Sequence, residues 1–85
     1  MLAREIEDQV ESFLRATFRI ASDDPDFDRT VDLYEHGYVD SVGIVELVAW
    51  LEKTFGVAIP ESDMLSDDFS TVEGLGRIVG GRLSS

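Results

Sequence analysis

Asp40-Ser41-Val42-Gly43-Ile44-Val45-Glu46-Leu47 opens an apolar run that continues through Trp50 and Leu51 to Phe55 and stops at Gly56. The run predicts a helix over Ser41 to Phe55, with Gly56 placed to take the left-handed conformation that ends it. Val42, Ile44, Val45, Leu47, Val48, Ala49, Trp50, Leu51 and Phe55 fall on nearly every side of that helix. Such a helix either sits at the centre of a core or leaves an apolar strip exposed to partners. A serine at its start would ordinarily be an N-cap, accepting a hydrogen bond from an orphaned backbone N–H. Whether Ser41 does more is decided by what surrounds it.

Upstream, Ile6, Val10, Phe13, Leu14 and Phe18 recur at steps of three and four among Glu5, Glu7, Asp8, Glu11 and Arg15. This spacing predicts an amphipathic helix over Ala3 to Arg19, with acids at its start and Arg15 and Arg19 at its end to complement the dipole. Ala21 to Asp40 then reads as a long irregular connection, with one possible turn from Val31 to Glu35 closed by Gly37. Phe27, Val31, Leu33, Tyr34 and Val39 are the residues that would pin it to the core. Long loops of this kind in small domains are usually functional or partly disordered.

Downstream, Val57-Ala58-Ile59-Pro60 reads as extended, because proline pushes the preceding residue away from helix. A short helical turn is expected over Glu61 to Leu65. Ser70 stands three residues before Glu73, the capping-box spacing, and predicts a last helix from Thr71 to Arg82 with Val72, Leu75, Ile78, Val79 and Leu83 inward. Gly74 and Gly76 each cost about 1 kcal/mol there relative to alanine, so they signal close backbone packing or a frayed helix.

The bulk properties bound the function. The 85 residues make one expected domain spanning 1–85. At that size about 60–65% of the unfolded surface is buried, and a deep enclosed active site is not expected. Eighteen acidic against seven basic residues give a net charge of −11, which disfavours nucleic acid and anionic membranes and favours basic partners. No cysteine is present, so disulfides and thiolate chemistry are excluded and a cytoplasmic setting is expected. The acidic start Met1-Leu2-Ala3-Arg4-Glu5-Ile6-Glu7-Asp8 is unlike a signal peptide, and no apolar run is long enough to insert in a membrane.

Two alternative chemistries need weighing. Asp24, Asp26, Asp28, Asp32 and Glu35 occupy the first, third, fifth, ninth and twelfth places of an EF-hand calcium loop, which makes an acidic calcium-responsive binding module over Asp24 to Glu35 the alternative function. Arg29 holds the sixth place, where the sharp turn needs glycine, so a solvated acidic loop is the plainer account. His36, the sole histidine, lies five residues before Ser41, but Val39 replaces the first glycine of a nucleophile elbow and no third residue is placed to orient the imidazole. Trp50 is either a core residue or part of an exposed strip with Val42, Ala49 and Lys53, and for a lone tryptophan in a small bundle the core reading is favoured.

Gly37-Tyr38-Val39-Asp40-Ser41-Val42, followed by Glu46-Leu47-Val48, Leu51-Glu52, Phe55-Gly56-Val57 and Ile59-Pro60, resembles the acyl carrier protein family. Leu33-Tyr34-Glu35 and Phe69-Ser70-Thr71-Val72 extend the likeness over nearly the whole chain. The resemblance implies an all-α four-helix bundle with three main helices, one short helix and a long first loop. It also implies a non-enzymatic carrier, expected to be a monomer, whose 4′-phosphopantetheine arm is esterified to Ser41 by a phosphopantetheinyl transferase, usually with magnesium. The arm would carry an acyl or aminoacyl thioester between loading and processing enzymes.

A helix start suits such a phosphodiester through its dipole and free N–H groups. Asp40 opposes it by like charge, and the resemblance implies instead that Asp40 contacts a metal or basic residue of the modifying enzyme. Val42, Glu46, Ala49 and Glu52 lie at helical spacing after Ser41 and are the expected partner-facing strip. Many fatty-acid carriers have an acidic residue where Gly43 stands. With the Phe55-Gly56-Val57 exit, this makes the chain more similar to stand-alone carriers of D-alanyl, polyketide or nonribosomal pathways, fatty-acid synthesis remaining open. Gly43 is also expected to loosen the backbone beside Ser41.

Overall fold

The computed structural model describes residues 2–84; Met1 and Ser85, the two ends of the expected domain, lie outside the described residues. In chain order the elements are α1 (Ala3–Thr17), α2 (Ser41–Phe55), α3 (Glu61–Met64), a 3-10 turn (Asp67–Ser70) and α4 (Val72–Ser84). The architecture is the all-α bundle of three long helices and one short one, with no strand among the described residues. None of these helices is long and apolar enough to cross a membrane.

The stripe on α1 folds as its spacing requires, with Ile6, Val10 and Leu14 fully buried and Phe13 and Phe18 packed partly against the same core. The helix stops at Thr17, short of the expected Arg19, because Arg19 takes a left-handed φ of 55° and reverses the chain. Arg15 clasps this reversal. Its Nε donates to Glu11 at 3.0 Å, its Nη1 donates to the Ala21 carbonyl at 2.7 Å, and its guanidinium lies 4.6 Å over the Phe27 ring. A cation over an aromatic face at a partly exposed site contributes about 0.5–1 kcal/mol.

The long connection is irregular but anchored. Phe27, Val31, Leu33 and Val39 are buried as expected, and Tyr34 is half-buried. Two backbone bonds tie it to the far end of the chain: the Leu33 N–H donates to the Ser70 carbonyl at 2.8 Å, and the Glu73 N–H donates to the Arg29 carbonyl at 2.9 Å. Arg29 also binds α1, reaching Asp8 at 2.6 Å, Glu11 at 2.9 Å and Glu7 at 3.5 Å. Hydrogen bonds to Asp8 and Glu11 hold the Arg29 guanidinium above its ordinary pKa. For Glu11, burial pulls the pKa upward, but the hydrogen bonds and charges of Arg29 and Arg15 outweigh it, leaving the carboxyl below the usual value.

The last helix corrects the sequence reading in two places. Ser70 belongs to the 3-10 turn that buries Phe69, and the capping oxygen is Thr71 Oγ1, which accepts the Gly74 N–H at 2.8 Å. Glu73 closes no capping box; it pairs with Arg77 at 3.2 Å on the exposed face. Val72, Leu75 and Val79 are fully buried and Ile78 partly, but Leu83 is 41% exposed, since by then α4 has run past the core. Between the two readings of Gly74, close packing holds: a Cβ there would collide with the carbonyl oxygen of Asp68. The 3-10 turn can therefore lie directly on α4, which packs its other side chiefly against α1.

Candidate functional site

The first turn of α2 assigns its two polar residues differently from the sequence reading. Asp40 is the N-cap: its backbone is extended, with φ −102° and ψ −175°, and its Oδ1 accepts the Gly43 N–H at 2.8 Å. Its carbonyl accepts the Ile44 N–H at 3.0 Å, the first bond of the helix. Ser41 is thereby released from capping. It stands exposed at the first helical position, and its hydroxyl has no hydrogen-bond partner among the described residues.

Of the N–H groups that the helix start leaves without an intrahelical acceptor, that of Gly43 is met by the Asp40 side chain. The N–H groups of Ser41 and Val42 remain without acceptors among the described residues. Together they form the positive end of a macrodipole equivalent to about half an elementary charge. An exposed hydroxyl beside free donors fits a phosphodiester at Ser41, and the Asp40 carboxylate beside it is partly neutralised by the N–H that it caps.

Gly43 does not loosen this turn. The residue is buried, and a Cβ built on it would lie 2.7 Å from Phe18 Cε1, 3.0 Å from Phe18 Cζ and 3.1 Å from Val39 Cγ1. Glycine is needed here for a close approach, and that contact fixes which side of α2 faces the core. Leu47 and Leu51, one and two turns on, are fully buried on the same side.

The opposite side carries the expected partner strip. Val42, Glu46 and Ala49 are exposed, whereas Glu52 is half-buried because its Oε2 accepts the Ile59 N–H at 2.8 Å. Val45 was missed by the sequence reading and is as exposed as Val42, each at 69%. Its signal was available: it stands three residues after Val42, on the face that Gly43, Leu47 and Leu51 turn away from. Trp50 belongs to neither extreme, being half-buried and stacked on Phe13 at 4.4 Å, away from the strip.

Beyond Ile44, a groove of about 610 Å³ separates α2 from α3 and the 3-10 turn. Tyr34, Met64, Leu65 and Phe69 line it together with Glu61 and Asp67. The Tyr34 hydroxyl donates to the Phe69 carbonyl at 3.0 Å. Burial, with the charge of Asp32, pushes that hydroxyl well above its ordinary pKa.

The acidic loop does not gather its carboxylates around an ion. Asp24 accepts the Asp26 N–H at 2.8 Å, Asp28 accepts both the N–H and the hydroxyl of Thr30 at 2.7 Å, and Asp32 accepts the N–H groups of Tyr34 and Glu35 at 2.9 Å. Each carboxylate folds back onto its own turn, and the Thr30 bonds hold Asp28 below the usual carboxylate range. Arg29, in the place that needed glycine, is drawn to α1. Among the described residues no three acidic or histidine side chains are grouped to hold a metal ion, so the calcium reading finds no support here. His36 faces the Asp32 carbonyl at 3.2 Å and the Tyr38 ring at 6.4 Å, so no Ser/His pair forms.

Comparison with known proteins gives the family of the chain. Two D-alanyl carrier proteins, from Streptococcus pyogenes serotype M5 (strain Manfredo) and serotype M49 (strain NZ131), are each 46% identical over 41 residues. The aligned segment is 48% of this chain and 52% of each relative, so the chain spans about half the length of the curated relatives it matches. A protein family described as phosphopantetheine attachment site matches residues 2–79. That match takes in α1, the anchored loop, the first turn of α2 and most of α4, and the chain belongs to the phosphopantetheine attachment site family.

Proposed function

We propose that Ser41 is the attachment point of 4′-phosphopantetheine and that this chain carries an acyl or aminoacyl group as a thioester on that arm. One observation carries the reading: at the exposed start of α2 the cap is supplied by Asp40, leaving the Ser41 hydroxyl unbonded beside two free N–H groups. In the modification the Ser41 oxygen bonds to the phosphorus bearing the pantetheine, the pyrophosphate bond of coenzyme A breaks, and adenosine bisphosphate leaves. The Ser41 proton passes to the phosphopantetheinyl transferase. The attached arm supplies the thiol that holds the cargo.

On this reading the chain is a substrate and shuttle of enzymes and performs no catalysis itself. Loading and processing enzymes approach over Ser41, across Val42, Val45, Glu46 and Ala49. Glu52 contributes less than the sequence suggested, since its carboxylate is engaged with Ile59. The D-alanyl carrier relatives support an aminoacyl cargo, and the absence of cysteine in the chain suits a cytoplasmic pathway.

The test is intact mass. Incubated with coenzyme A and a broad-specificity transferase, the protein gains one phosphopantetheine, and Ser41→Ala gains none. A wild-type chain left unmodified while a control carrier is converted refutes the proposal.

A further inference from the structure

We infer that Phe18 is a positioning residue for modification at Ser41: its ring presses on Gly43 and sets the orientation of the turn that presents the hydroxyl. The inference rests on the proposed attachment at Ser41. Ser41 cannot hold itself, because its hydroxyl and N–H make no hydrogen bond among the described residues. Its place is inherited from its neighbours in the turn, and Gly43 is the one held from two directions. The Gly43 N–H is bound by Asp40, and its Cα face meets the edge of Phe18, with Val39 Cγ1 beside it.

Phe18 is itself braced. It is the C-cap of α1, its N–H donates to the Leu14 carbonyl at 2.9 Å, and the left-handed Arg19 carries the chain away behind it. Its ring meets Phe13 edge-on at 6.2 Å, Phe13 stacks on Trp50 at 4.4 Å, and Trp50 meets Phe55 edge-on at 5.6 Å. Four rings thus connect the end of α1 to both ends of α2. Rings in such arrangements interact beyond their buried area, and a close-packed contact has one low-energy arrangement rather than a range. The first turn of α2 therefore cannot roll about its axis without displacing the whole ladder.

Rolling would move the Ser41 oxygen but would leave Val42 and Val45 exposed for docking. A misplacement of about 1 Å at a reacting atom can cost about 100-fold in rate. Loss of this contact therefore lowers the rate of the chemical step rather than the affinity of the transferase.

The test is steady-state modification of the full chain by a phosphopantetheinyl transferase, well below the melting temperature, with amide hydrogen exchange measured on the unmodified chain. Phe18→Leu keeps an apolar side chain in the core but withdraws the ring edge. It should lower kcat about tenfold or more with KM within about twofold of wild type. Its Gly43 amide should exchange faster while the Leu75 amide, in α4, does not. Gly43→Ala should show the same kcat loss, and the Phe18→Leu/Gly43→Ala double variant should recover much of it, because the shorter side chain makes room for the methyl. A rise in KM at unchanged kcat, or a double variant no better than the worse single one, overturns the positioning role. So does a Phe18→Leu chain modified at the wild-type rate. A wild type that is not modified at all refutes the attachment reading and takes this inference with it.

Discussion

Alanine at residue 74 and alanine at residue 81 are the same substitution in the same helix, and the structure assigns them opposite signs. Each gains about 0.8–1 kcal/mol of intrinsic helix propensity. At Gly81 a Cβ meets nothing within 4 Å, so the gain is realised, reduced by fraying near the end of α4. At Gly74 the methyl would lie 2.6 Å from Asp68 Cα and closer still to its carbonyl oxygen. This obstacle is backbone, which cannot swing aside as a side-chain tip does.

Overpacking of this kind costs about 3 kcal/mol, at the upper end of the usual range. Moving the 3-10 turn also strains the bonds from Leu33 to Ser70 and from Tyr34 to Phe69, together worth about 1–2 kcal/mol. After the propensity gain, Gly74→Ala should lose about 3 kcal/mol. In a domain of this size that lowers Tm by about 12–24 °C, against a rise of a few degrees for Gly81→Ala. Thermal melts followed by far-ultraviolet circular dichroism decide it. A Gly74→Ala chain melting at or above wild type would show that α4 and the 3-10 turn are not in the described contact.

Three other outcomes are expected. Asp40→Ala should lose about 1 kcal/mol, whereas Asp40→Asn, which keeps an acceptor for the Gly43 N–H, should lose much less; equal melting temperatures for the two variants would mean that charge rather than the cap matters. The depressed Glu11 pKa contributes stability that is present above its unfolded value and lost as pH falls through the folded one. Arg29→Met should therefore narrow its stability gap from wild type on acidification, and a gap constant down to pH about 3 would contradict this. Because the net charge is −11, Tm should rise between about 10 mM and about 0.5 M sodium chloride, and a Tm indifferent to salt would show that self-repulsion is not limiting.

The parts of this molecule that were legible in its sequence are those governed by periodicity. Ile6, Val10 and Leu14 marked the buried face of α1, and Gly56 marked the end of α2, where it adopts φ 66°. What escaped were choices between adjacent residues of equal chemical aptitude. Asp40 and Ser41 can both cap a helix, as can Ser70 and Thr71, and local preference does not distinguish a register shift of one. Tertiary contacts decide both cases: Phe18 against Gly43 sets the start of α2, and Asp68 against Gly74 sets the start of α4. The same holds for the strip beside Ser41. An apolar residue on every side of α2 leaves the exposed side undefined until one face is seen to be packed. Val45 then emerges as a surface residue, and Trp50 leaves the strip.

Trp50 is the only tryptophan in the chain, and its place in the ring ladder gives the protein a built-in optical reporter with a restricted view. Its emission follows the seating of α1 on α2, through Phe13, whereas α4 contributes no ring to that ladder. Fluorescence therefore reports the α1–α2 seat, and circular dichroism reports all the helices together. Where their unfolding curves coincide, the bundle melts as one cooperative unit. Where they part, the interval between them measures how far the rest of the bundle can loosen while the seat of Ser41 stays formed.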